Sequence, residues 1–143
     1  MEETLYYYCR EKGEIVVEEV TMPNDFGIVD TLSCRLNLQQ HFIWNCYELK
    51  VSKADFHSQA KLSFIGHYNY FVLPEKLYLT VQEEIPRAVG VLVFHPYLTE
   101  EMDVPGFFTT EKKPQRQDLQ VNEAELLYRL ISAQAREVGK AKR

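Results

Sequence analysis

Asp30 stands in the middle of "FGIVDTLSC", Phe26 to Cys34, where five of nine residues are apolar and the pattern reads as a strand. A carboxylate in such surroundings needs a compensating partner, because burying its charge alone is costly. Further along, "YELKV" closes another strand-like run. Side chains alternate along a strand, so Glu48 and Lys50 point one way and Leu49 and Val51 the other. If the two strands pair, Asp30 comes close to Glu48. Two such acids repel and resist ionisation unless a cation lies between them. A hard divalent ion, Mg²⁺ above all with Mn²⁺ as its substitute, suits that pair of oxygen ligands. It would polarise a phosphodiester and lower the pKa of a bound water, while Lys50 orients that water or offsets developing negative charge.

Glu-x-Lys alone carries little information, since Glu111 and Lys113 repeat it in a loop. The information lies in the elements that would position the triplet. Leu5, Tyr8 and Cys9, followed by Gly13, predict a short helix. "GEIVVEEVT" predicts a strand over Glu14–Thr21, and "PNDFG" a turn. The Asp30 strand follows, then a polar "NLQQ" and the aromatic-rich strand "HFIWNCYELKV". Connections of about five residues favour an antiparallel meander for these three.

After Lys50, Ser52 and Asp55 form a variant capping box. Phe56, Ala60 and Ser63/Phe64 share a helical face, with Gly66 closing the helix. "YNYFVLP" predicts a fourth strand. "PEKLYLTVQEEIP" begins like a helix, although "LYLTV" is equally compatible with an extended chain. "AVGVLVF" predicts a strand buried on both faces. Residues 96–121 read as a long polar connection. Residues 122–143 read as an amphipathic helix with Leu126, Leu127, Leu130 and Ile131 on its apolar face. The expected architecture is one α/β domain, a mixed sheet flanked by helices, with its core over about residues 1–95.

Composition narrows the function classes. A chain of 143 residues with 45% hydrophobic and 13% aromatic residues suits one folded domain. No apolar run approaches the ~20 residues that span a bilayer, so no membrane partner is expected. The start of the chain lacks a basic stretch followed by an apolar one, which argues against a signal peptide. Cys9, Cys34 and Cys46 are odd in number and widely spaced, as in reduced cytoplasmic proteins. Residues 1–109 carry a net charge of −8 and residues 110–143 a net of +3. That acidic body is not the footprint of a strongly basic nucleic-acid binder. His41, His57, His67 and His95 have no metal-ligand spacing and read as structural or surface residues. The runs "YYY" and "YNYF" read first as packing, with base stacking as the alternative. Lys112, Lys113 and Arg116 read as a solvated basic loop.

The ensemble of "GIVDTLSC", 17 intervening residues between Asp30 and Glu48, and "YELKVSKADF" resembles the PD-(D/E)XK nuclease superfamily. The run "ELKVSKADF…KLSFIGHYNYFVLP" is similar to the small MmcB-like proteins associated with DNA repair. The resemblance covers roughly residues 14–95. It implies a restriction-endonuclease-like core in the order αβββαβ. It also implies that Asp30 and Glu48 are metal ligands with the Leu49 carbonyl as a third, and that Lys50 is the catalytic lysine. Members often add a glutamate from the first helix or strand; Glu2, Glu3, Glu18 and Glu19 are candidates, with Glu18 or Glu19 nearer the site. Ser52, Lys53, Asp55, Gln59 and Lys61 are the residues available after Lys50 for substrate contacts. Val29 stands at the motif's proline position, a departure that is common in the superfamily.

The expected function is therefore Mg²⁺-dependent hydrolysis of phosphodiester bonds in DNA, in repair or in a phage. The alternative is a non-catalytic module on the same fold that binds nucleic acid or protein. A DNA-mimicking decoy is a third reading, for which a net charge of −5 is modest. A homodimer or a larger protein complex is open.

Overall fold

The computed structural model describes residues 1–58, 63–99 and 101–142. A single six-stranded sheet runs in sequence order from β1 to β6. Its strands are β1 (Ile15–Thr21), β2 (Ile28–Leu36), β3 (Phe42–Leu49), β4 (Tyr68–Pro74), β5 (Gly90–Pro96) and β6 (Gly106–Lys112). β1, β2 and β3 form the expected antiparallel meander. β4 lies parallel to β3, β5 parallel to β4, and β6 antiparallel to β5.

The helices are α1 (Glu2–Glu11), α2 (Lys53–Phe56), α3 (Glu75–Val81) and α4 (Glu123–Ala141). Strand alternation divides the core between the two faces of the sheet. On one face Leu5 and Cys9 of α1 pack against Val16, Tyr47, Val72 and Leu92. On the other, Leu126, Leu130 and Ala133 of α4 cover Val17, Leu32, Trp44 and Cys46. Leu77 and Val81 of α3 continue that layer over Phe71, Leu73, Val91 and Val93. α4 is fixed at its start by Asn122, whose side chain caps the Glu125 amide, and by Glu123, which accepts the Trp44 indole N–H at 2.9 Å.

Three expectations need correction. The long connection over 96–121 contains β6, in which Phe108 packs on Tyr8 of α1 and on Phe94. Its pairing with β5 supplies backbone bonds that an isolated, charge-rich segment lacks. Of the helix expected from Ser52 to Gly66, the described residues show only the single turn of α2. Ser63 and Phe64 are not helical, and Ala60 lies outside the described residues. Ser63 instead gives its amide to Glu48 at 3.4 Å and its hydroxyl to the Phe26 carbonyl at 2.9 Å, while Gly66 gives its amide to Asn69. In α4, Ile131 is 56% exposed, because the buried stripe continues through Leu130 and Ala133. The ambiguous segment after Pro74 is helical.

Candidate active site where the second and third strands part

The β2–β3 ladder runs from Leu36↔Phe42 to Thr31↔Tyr47 and stops. Asp30 and Glu48 are the next opposed positions. Beyond the last rung the Asp30 carboxylate replaces a strand carbonyl, accepting the Leu49 amide hydrogen at 2.8 Å. On the other side of β2, the β1 rungs Glu18↔Thr31 and Val20↔Val29 flank an unpaired Glu19 and Asp30. Glu19 has φ +53° there, a left-handed backbone that non-glycine residues rarely adopt. Alternation is reset across this kink. Val17 and Val20, three apart, join one core layer, and so do Val29 and Leu32. A strained backbone conformation of this kind marks a position that its surroundings over-determine.

Glu48 is 4% exposed and Lys50 6%, whereas Asp30 is half-buried. Burial pushes the Glu48 carboxyl up to about 8, reinforced by the charge of Asp30 and a hydrogen bond with it. The Ser63 amide and Lys50 pull the other way without prevailing. Near neutral pH Glu48 therefore keeps its proton. Lys50 extends from just beyond β3, its amide bonded to the Val72 carbonyl at 3.1 Å. Its Nζ lies 3.9 Å from Asp55 Oδ1. Asp55 is itself held: its amide donates to the Ser52 hydroxyl at 3.1 Å, and its Oδ2 accepts the Val51 amide at 3.0 Å. The Ser52 half of the expected capping box is thus formed, while the return bond from Asp55 goes to Val51, one residue before the cap, and Asp55 also aims a carboxylate at the buried lysine.

The two N-terminal candidates separate. Glu18 turns to α1, where a hydrogen bond with Glu2, followed by burial, raises it to about 7. Glu19 instead shares with Asp30 a cleft of about 390 Å³ whose far wall is Arg136, Glu137 and Lys140 of α4. Glu19, not Glu18, stands beside the site, because the kink breaks the alternation from which the two could be told apart. Of the expected substrate contacts, Ser52 is occupied as a cap, Lys53 is exposed on α2, and Gln59 and Lys61 lie outside the described residues. Ser63, Arg136 and Lys140 are additions that strand patterning did not offer. Their only sequence signal is the i, i+4 spacing of the two cations, which places them on one helix face.

Among the described residues no three of His, Cys, Asp and Glu gather as a ligand set. The Asp30–Glu48 pair nevertheless brings together the carboxylate oxygens that a hard cation prefers. No family, no curated protein and no solved structure matched this chain in comparisons of its sequence and structure.

Proposed function

We propose that this chain is a metal-dependent nuclease of the PD-(D/E)XK type, resembling the MmcB-like proteins and acting on DNA, with a restriction-endonuclease-like core. The observation that carries this reading is the opposition of Asp30 and Glu48 where the β2–β3 ladder ends, with the Leu49 amide bonded to Asp30, beside a nearly buried lysine. A structural ion pair would not need two acids there. A divalent cation held by these carboxylates, with the Leu49 carbonyl as a further oxygen, would supply positive charge to the scissile phosphate and acidify the attacking water.

The chain's own groups account for the rest. Asp30 is locked in place by the Leu49 amide, and Glu48 by the Ser63 amide. Lys50, steadied by Asp55, presents an ammonium next to where negative charge grows during attack. Arg136 and Lys140 line the cleft that Asp30 shares, though Glu48 and Lys50 do not, and can take up backbone phosphates, the contribution that the acidic body otherwise lacks. Glu19, which lines the cleft with Asp30, would be the third acid of the set.

The non-catalytic alternative has one observation in its favour, that among the described residues no third ligand joins the two acids. Calorimetry with Mg²⁺ and Mn²⁺, with and without a DNA duplex, separates the readings. Divalent binding that vanishes in Asp30→Asn, together with cleavage that vanishes in Lys50→Met, supports the nuclease. Salt-sensitive DNA binding with neither metal uptake nor cleavage supports the binding module.

A further inference from the structure

On the opposite face of the sheet, and at the opposite end of β3, lies a second cleft of about 410 Å³. It is bounded by the end of α1, the end of β2, the starts of β3 and β4, and the segment after β6. Three cations, Lys12, Arg35 and Lys113, line it in a chain whose net charge is −5. Tyr68 and Tyr70 supply an aromatic wall. That wall is rigid: Tyr70 stacks on the buried Tyr47 with centroids 4.9 Å apart, and the Arg116 guanidinium lies 6.0 Å over the Tyr68 ring.

The deep side is polar and built. Glu14, 2% exposed, accepts the Ser33 hydroxyl at 2.7 Å, and Ser33 in turn accepts from the Asn45 amide at 3.2 Å. Both Glu14 and Asn45 also line the cleft. A carboxylate almost removed from water is costly to keep. Its neighbour Lys12 is 43% exposed on its side chain and 3.7 Å away, which compensates it only in part. Rigid aromatic walls with a few convergent polar groups are what small-molecule sites are made of. Cations at the rim call for an anionic ligand, aromatic rings for a flat one, and a buried carboxylate for one with amino hydrogens to donate.

We propose that this cleft binds a nucleotide whose base carries an exocyclic amino group, as guanine, cytosine and adenine do and uracil does not. The base lies along Tyr68 and Tyr70 and donates its amino hydrogens to Glu14 and Asn45. The phosphate meets Lys12, Arg35 and Lys113. Carboxylate acceptance from an amino-bearing base edge is an established mode of base recognition. Uracil lacks the amino group and flanks its one ring N–H with two carbonyl oxygens, so Glu14 repels it. This site is separate from the Asp30–Glu48 site and does not depend on that site being catalytic.

The test is calorimetric titration of the full chain with GMP, CMP, UMP and inorganic phosphate at fixed moderate salt. GMP or CMP should bind at least about tenfold more tightly than UMP and phosphate. The double variant Arg35→Ala/Lys113→Ala, which alters only rim side chains, should lose about tenfold or more in affinity while keeping the parent circular dichroism spectrum. Tyr68→Ala should weaken GMP more than phosphate. Equal binding of all four probes would reduce the cleft to a general anion patch and overturn the proposal. So would no binding by the folded parent, or binding that the rim variant leaves untouched.

Discussion

The Asp30 carboxylate accepts the Leu49 amide hydrogen at 2.8 Å, so one acid of the candidate site is bonded to the peptide that follows the other. This bond fixes Asp30 opposite Glu48 at the place where the strand ladder ends. The consequence is electrostatic, and it can be measured.

Removing the charge of Asp30 while keeping its acceptor should relax Glu48. In Asp30→Asn the amide oxygen still receives the Leu49 N–H, but the like charge is gone. The Glu48 carboxyl should fall from about 8 towards the ordinary range, short of it by the part that burial sustains. Carbon-detected NMR titration of the glutamate side chains reads this directly. An unmoved Glu48 would show that the charge of Asp30 does not contribute to its shift.

Stability should decline with rising pH between the unfolded glutamate value and about 8. Glu48 is raised in the folded chain, so the native state holds a proton that the unfolded state has released, and each pH unit in that window works against folding. The loss is about 1.4 kcal/mol per unit for a fully shifted group. It is absent below the window and complete above it. Glu18, raised to about 7, adds a smaller effect of the same sign. Urea midpoints at pH 5.5 and 8.5 should differ accordingly, and Glu48→Gln should flatten the difference. Millimolar Mg²⁺ should restore stability at pH 8.5 in the parent and not in Glu48→Gln.

Lys50→Met should abolish cleavage without unfolding the chain. Methionine keeps the aliphatic stem that burial demands, and removes the ammonium. Its loss leaves Asp55, which is 40% exposed, free to be solvated. Far-ultraviolet circular dichroism close to the parent, with at least about 100-fold slower cleavage, is the expected result. Cleavage at the parent rate would remove Lys50 from the mechanism.

Asp55→Ala should act on both structure and site. It deletes the acceptor of the Val51 amide and the partner of Lys50. Ser52→Ala deletes only the cap and is expected to lower stability by about 1 kcal/mol. If Asp55 only capped the helix, the two variants would slow cleavage alike. Aiming Lys50 as well predicts the larger fall in kcat for Asp55→Ala.

Gly106→Ala tests the sixth strand. A methyl group there would collide with the His95 carbonyl and lie 2.7 Å from the Phe94 ring. The β5–β6 pairing should open, with loss of amide protection over Gly106–Lys112 in hydrogen exchange and little change in β1–β3. Full protection of that segment in the variant would contradict the strand.

The meander and its acid pair were legible because period-two alternation and short connections are local properties. Asp30 and Glu48 needed only those to be set opposite each other. β6 was hidden because "FFTTEK" sits between prolines and charges, and its stability comes from β5, a long-range partner. The helix after Lys50 was overestimated because Ser63 satisfies its polar groups against Glu48 and Phe26 rather than within a helical ladder. Glu18 and Glu19 could not be separated, since the left-handed turn at Glu19 is set by tertiary context. The two α4 cations were visible as a basic tail, but their address beside Asp30 depends on how α4 docks.

That docking gives the protein a built-in optical probe. Trp44 is the sole tryptophan, it is fully buried, and its indole N–H ends on Glu123 at the first turn of α4. Its emission therefore reports whether the helix that brings Arg136 and Lys140 has seated. The β1–β3 meander closes through short loops, whereas the Trp44–Glu123 contact spans 79 residues. Closing that span costs more chain entropy than closing the short turns of the meander, so the seating of the cations beside Asp30 rests on the packing of α4 and can be followed at one wavelength.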